Sequence, residues 1–112
     1  MSWIVEVLNK SVQKELGSLP VDLRAKFLYI AEMLEEFGPQ NVKEPYVALL
    51  KGQKHKLWEI RMKGTSGIAR AIYITVKKER IIVLHAFIKK TQRTPLKALN
   101  TAINRINEVK ND

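Results

Sequence analysis

Apolar residues recur at two different periods along this chain of 112 residues. From Pro20 to Phe37 the period is helical. Leu23, Phe27, Ile30, Leu34 and Phe37 fall on one stripe, the pattern of a helix that buries a single side. Ser18 and Pro20 suit its start, and Gly38-Pro39 its stop. From Lys56 onward the pattern becomes that of strands, in three runs: Lys56–Lys63, Ala69–Val76 and Arg80–Ile88. Gly64-Thr65-Ser66-Gly67 and Lys77-Lys78-Glu79 separate them. Tight turns of this kind predict an antiparallel meander. Trp3–Leu8, rich in Val, Ile and Trp, predicts a further strand, and Asn9–Leu16 a short helix closed by Gly17. Thr94 and Pro95 predict the N-cap and first position of a last helix that buries Leu96, Leu99, Ile103 and Ile106. Residues 38–56 hold two prolines and two glycines and read as a surface crossing. The order strand, helices, meander, helix predicts an α+β fold. Its small antiparallel twisted sheet is packed by helices on one face, in one domain over residues 1–112.

Composition narrows the chemistry. There is no cysteine, which excludes disulfides, thiol nucleophiles and Cys-based zinc sites and fits a reducing, cytoplasmic setting. With two histidines, neither beside an acidic cluster, no metal site is expected. No apolar stretch reaches the roughly 20 residues that span a bilayer, and MSWIVEVLNK lacks the basic region of a signal peptide.

Charge is distributed unevenly. Residues 1–54 carry seven Lys/Arg and seven Asp/Glu, while residues 55–112 carry thirteen Lys/Arg against four Asp/Glu. The whole net charge of +9 therefore sits in the second half. Such asymmetry within one domain points to a polyanion, nucleic acid first and an acidic protein segment second. A solvated basic surface is the plainer alternative.

Strand alternation decides which cations can meet. Trp58, Ile60 and Met62 point one way, and Glu59, Arg61 and Lys63 the other. Ile72, Ile74 and Val76 form the greasier face of the second run, with Ala71, Tyr73 and Thr75 opposite. In the third, Ile82, Leu84, Ala86 and Ile88 are apolar and oppose Val83, His85, Phe87 and Lys89. If the apolar faces all cover helices, Arg61, Tyr73, Thr75, His85 and Lys89 collect on the other side, with Arg70 at the strand mouth. A single bulge would reverse part of this assignment.

Those residue types suit metal-independent RNA cleavage. A base takes the proton of a 2′-hydroxyl that attacks the adjacent phosphate, cations stabilise the phosphorane, and an acid protonates the departing 5′-oxygen. Arginine grips phosphate through its planar fork. Histidine, or a lysine beside other cations, can move the proton. Aromatic rings such as Tyr73 and Phe87 can stack splayed bases. Arg61, Arg70, His85 and Lys89 are accordingly the candidate catalytic residues. Lys63, Tyr73, Lys90, Thr91, Gln92 and Arg93 are the candidate RNA contacts. The plainer readings are a structural histidine between apolar neighbours, a packing Tyr73, and solvated lysines at a strand end.

The run LWEIR, the arginine-bearing strand ARAIYI and the segment IIVLHAFIKKTQRTP before a final helix together resemble the RelE/HigB toxin superfamily, in particular its phage-derived HigB-like branch. Phe87 to Pro95 is the most specific part. The resemblance implies a type II toxin–antitoxin toxin, an mRNA interferase that cuts messages in the ribosomal A site without cofactors. Implied partners are a cognate antitoxin, of helix-turn-helix type in this branch, mRNA on the ribosome, and operator DNA bound as the toxin–antitoxin complex. Arg61 and Arg70 match the family's paired strand arginines, and Lys89 and Lys90 its basic pair after the last strand. The chain departs from the family in one respect: no histidine follows His85 and no tyrosine follows Tyr73, where members often place an acid–base or stacking group near the C-terminal end. A ParE-like poison of DNA gyrase and a non-catalytic nucleic-acid-binding phage remnant are the rival readings.

Overall fold

The structure, a computed structural model, describes residues 2–109. The elements run β1 (Ile4–Val7), α1 (Lys10–Gly17), α2 (Val21–Phe37), β2 (Val47–Leu50), β3 (Leu57–Gly64), β4 (Gly67–Val76), β5 (Arg80–Ile88) and α3 (Leu96–Arg105), with single 3-10 turns after α2 and α3. The strands form one sheet in the order β1-β5-β4-β3-β2. The meander β3-β4-β5 is antiparallel as its turns require, and β2 extends it antiparallel beyond β3. The class is α+β, but the sheet is mixed, because β1 lies parallel to β5. A chain that leaves β1, passes through two helices and returns through the meander must cross over to reach β5, and a crossover permits parallel pairing. β2 lies inside residues 38–56, so part of that surface crossing is an edge strand that the four-residue VALL run did not announce.

Helices cover both faces, which corrects the one-face expectation. α1 and α2 pack on a core containing Val12, Leu23, Phe27, Ile30 and Leu34 together with Ile60, Met62, Ala69, Ala71, Tyr73, Ile81, Val83 and Ala86. The opposite face presents Leu57, Ile72, Ile82 and Leu84 to Ala102 and Leu99 of α3. The greasy side of β4, Ile72, Ile74 and Val76, therefore faces α3 and not α2. A bulge in β5 completes the change. Ile72 pairs with His85 but Tyr73 with Val83, so Leu84 is an extra residue and the facing of β5 reverses there. Ile81 and Val83 point toward the α1–α2 core before the bulge, and Ala86 does so after it.

Local chemistry fixes the helix starts. Asn9 caps α1, its side-chain oxygen accepting from the Val12 N–H at 3.0 Å. α3 begins one residue later than its sequence cap implied. Pro95 is its N-cap and makes no side-chain capping bond, since its ring carries no acceptor, and the Thr94 hydroxyl is engaged elsewhere. Among the described residues no helix is long and apolar enough to cross a membrane.

Candidate functional site

The β3–β4 hairpin sets the cationic pair. Gly64 pairs with Gly67 across the turn, and counting back from it places Arg61 directly opposite Arg70. Both side chains lie on the face shared with α3, as do Glu59, Phe87 and Lys89 by alternation along their strands. Directly opposed like charges are destabilising unless a counter-charge joins them. Glu59 supplies it. The residue is 1% exposed, and its Oε2 accepts from Arg61 Nε at 3.1 Å and lies 3.4 Å from Arg70 Nε. Its other oxygen, Oε1, accepts from the Thr94 hydroxyl at 2.9 Å. One buried carboxylate thus ties the arginine pair to the segment that follows β5.

The two arginines differ in setting. Arg70 is buried, and its guanidinium donates to the Ala69 carbonyl at 3.0 Å. Burial, followed by the neighbouring Arg61 charge, lowers its pKa against the opposing pull of Glu59. Arg61 is one-third exposed and reaches outward, with Nη1 3.4 Å from Oε1 of the exposed Glu44. Lys89 sits beside them. Partial burial and the Arg70 and Arg61 charges hold its ammonium below the ordinary lysine range, although Glu59 pulls the other way. A lysine shifted in that direction gives up a proton more readily.

Arg61, Arg70, Lys89, Lys90, Thr91 and Gln92 line one cleft of about 540 Å³, floored by Ile68. Its size and its convergent donors suit a phosphate and part of a nucleotide. Six of the ten residues singled out from the sequence therefore come together. Lys63 and Arg93 are exposed but do not line the cleft. Thr91 also holds the loop, donating from its hydroxyl to the Arg93 carbonyl at 2.8 Å.

Two expectations about faces are corrected. Tyr73 does not share the cationic face. It is 0% exposed, packed in the α1–α2 core with its hydroxyl unpartnered among the described residues, and burial raises its pKa far above the ordinary phenol value. Because β4 presents Tyr73, not Ile72, to α2, the ring has no surface left for a base. Thr75, by alternation on the same side as Tyr73, leaves the cationic set with it.

His85 is on the cationic side but belongs to a second cluster. Its Nδ1 lies 2.9 Å from Glu15 Oε1. A carboxylate can only accept, so Nδ1 carries the hydrogen. Glu15 also accepts from the Ala86 N–H at 3.1 Å and from both terminal nitrogens of Arg105, at 3.0 and 2.9 Å. Arg105 in turn donates to the Leu84 carbonyl at 2.8 Å. Burial alone would raise the Glu15 pKa; the bonds from Arg105, Ala86 and His85 outweigh it and hold the carboxyl below its ordinary value. β1 pairs with β5 only through Val83, so this cluster satisfies the strand edge that β1 leaves open.

Sequence reasoning passed over Glu59, Glu44, Thr94, Glu15 and Arg105. Only Glu59 carried a legible signal, as a lone acidic residue flanked by apolar neighbours in a strand of cations. The partners of Glu15 lie 70 to 90 positions away and leave no local trace.

A family model described as phage derived protein Gp49-like (DUF891) matches residues 14–107. Among solved structures, the E. coli toxin RelE in its free state, as an arginine double mutant, matches with a TM-score of 0.63 at 15% identity. The match covers 95% of this chain and 99% of that chain. A likeness at that identity is one of fold. No curated protein matches the chain.

Proposed function

Because the chain belongs to the phage-derived Gp49-like family and has the fold of RelE, we propose that it is the toxin of a type II toxin–antitoxin pair and acts by cutting mRNA on the ribosome. The observation that carries this reading is the cleft in which Arg61 and Arg70, opposed in register and joined through Glu59, converge with Lys89. Preorganised cations in a partly dry site are what a developing phosphorane requires.

In this reaction the 2′-hydroxyl attacks the adjacent phosphorus and loses its proton to a base. The bond from phosphorus to the 5′-oxygen breaks, leaving a 2′,3′-cyclic phosphate, and the departing oxygen takes a proton from an acid. Arg61 and Arg70 hold the non-bridging oxygens. Lys89, with its lowered pKa and its place in the cleft wall, is the proton donor. Glu44, exposed and 3.4 Å from Arg61, is the proton acceptor. His85, tethered by Nδ1 to Glu15, is assigned to shaping the strand edge. Lys90, Thr91 and Gln92 contact the flanking backbone. A cognate antitoxin of helix-turn-helix type, operator binding by the pair and a cytoplasmic location complete the proposal.

Primer extension on a reporter mRNA in a cell-free translation system, with and without the purified protein, tests it. New 5′ ends should appear only while translation runs. Cuts without ribosomes would make the protein a free ribonuclease. An intact message with translation continuing would overturn the nuclease reading and leave gyrase poisoning or binding without catalysis.

A further inference from the structure

α2 is apolar on two sides. Leu23, Phe27, Ile30 and Leu34 fill the core, as an amphipathic helix requires. A second stripe, Val21, Ala25 and Leu28, runs along the solvent side with Tyr29 at its flank. Val21 is 72%, Leu28 61% and Tyr29 52% exposed. The Tyr29 ring stands edge-on to Tyr46, with 6.2 Å between centroids, which widens the patch. Contiguous exposed apolar surface of this kind marks an interaction site.

The charges around the stripe indicate what covers it. α2 carries Arg24 and Lys26 in its first half and Glu32, Glu35 and Glu36 in its second. That is the reverse of the order the helix dipole favours. Glu35 has a use within the chain, since it accepts from the Val5 N–H at 2.9 Å. Arg24 and Glu32 are exposed and form no ion pair among the described residues. They lie four residues before and four after Leu28, each within about 40° of it around the helix. Where two α2 helices cross antiparallel at Leu28, each Arg24 falls level with the partner's Glu32, about 6 Å from the centre. The two dipoles then also oppose each other favourably. The face is complementary to itself, which is what an isologous contact requires. With two basic and four acidic residues, the same helix does not suit a polyanion.

We infer that the chain self-associates as a twofold dimer through the outer face of α2, with Leu28 at the centre and reciprocal Arg24–Glu32 pairs beside it. α2 packs on the sheet face opposite α3. The clefts around Arg61 and Arg70, on the α3 side, therefore stay open in the dimer, and the inference is independent of the nuclease reading. A helix of 17 residues is about 25 Å long. The contact thus falls at the small end of interfaces, and the dimer exchanges reversibly with the monomer.

Sedimentation velocity on the purified full chain, from about 1 μM to about 1 mM, covers the affinities such a contact gives. The mean mass should rise from one chain toward two across that range. Arg24→Glu and Glu32→Arg should each weaken association at least about tenfold, because like charges then face each other at two places. The double variant Arg24→Glu/Glu32→Arg exchanges the pair and should restore association. Both side chains are exposed, so all three variants should keep the urea midpoint of the wild type. A chain that stays monomeric at every concentration overturns the inference and leaves the stripe to a different protein, a cognate antitoxin first. Association that survives both single reversals, or that the double variant fails to restore, puts the contact on another surface and overturns it equally.

Discussion

Glu59 Oε2 lies 3.1 Å from Arg61 Nε, joining a side chain that is 2% exposed to one that is 34% exposed. The same oxygen faces Arg70, so one carboxylate offsets two cations whose backbones are paired in register. Removing it leaves Arg70 buried beside a like charge. Glu59→Ala should therefore destabilise the protein by about 3 kcal/mol, the low end for breaking a buried pair, because Arg61 is partly solvated. Urea unfolding reads this directly. An unchanged midpoint would mean that the arginines find another counter-charge.

Arg61 contributes little to the core, and its loss should be felt in activity. Arg61→Ala should lower the rate of mRNA cleavage at least about tenfold, since one preorganised donor is typically worth ~2–4 kcal/mol in the transition state. Its unfolding midpoint should change by less than that of Glu59→Ala. Cleavage kinetics unaltered in this variant would remove the arginine pair from the mechanism.

The arginine pair was legible in the sequence through the family resemblance. Alternation alone put Arg61 on the cationic face and left Arg70 at the strand mouth; the register of the β3–β4 hairpin supplies their opposition. The α2 helix was legible for a local reason: its stripe and its Gly38-Pro39 stop are contiguous. What escaped depended on events without local signature. The extra Leu84 in β5 reverses facing in mid-strand, and a face assignment that assumes strict alternation fails beyond it. β4 is apolar on both sides from Ala71 to Ile74, so its pattern could not say which side meets α2 and which meets α3. Thr94 looked like a cap because caps are its commonest use, but a buried carboxylate 35 positions earlier takes its hydroxyl.

The Glu15 cluster makes a pH prediction. The folded-state pKa of Glu15 is held below 4.5 by Arg105, the Ala86 amide and His85 acting against burial. For a depressed carboxyl the folded state binds fewer protons than the unfolded state. Its contribution is therefore fully present above about pH 4.5 and is lost as pH falls through the folded-state value. Glu15→Gln should be less stable than the wild type at neutral pH, and the gap should narrow on acidification below pH 4.5. A gap independent of pH would show that the carboxylate charge is immaterial to the edge of β5.

Gly64 is constrained by contact. The Asp22 carboxylate accepts from the Ser66 N–H at 2.9 Å and from the Thr65 hydroxyl at 3.3 Å, clamping the β3–β4 turn to the start of α2. A Cβ on Gly64 would collide with Asp22 Oδ2 and come only into ordinary contact with Leu23. Gly64→Ala should cost about 1–3 kcal/mol, as overpacking does. The cost should shrink when Asp22→Ala is present, because the clash partner is then gone. Additivity in that double-mutant cycle would place the strain elsewhere.

Tyr73 offers the sharpest contrast between a sequence reading and a buried position. As an RNA contact its hydroxyl and ring would both matter to cleavage. In the fold the ring is fully enclosed against α2, and among the described residues the hydroxyl has no partner, so no protein group compensates the oxygen for its desolvation. Deleting such a group is neutral or stabilising, since an unmade buried hydrogen bond is the costly state. Tyr73→Phe should therefore unfold at the same or a higher denaturant concentration and cut mRNA at the wild-type rate. Tyr73→Ala, which empties the site, should lose about 3–5 kcal/mol. A cleavage defect in Tyr73→Phe with stability intact would return the hydroxyl to the chemistry and require β4 to turn its other face to the substrate.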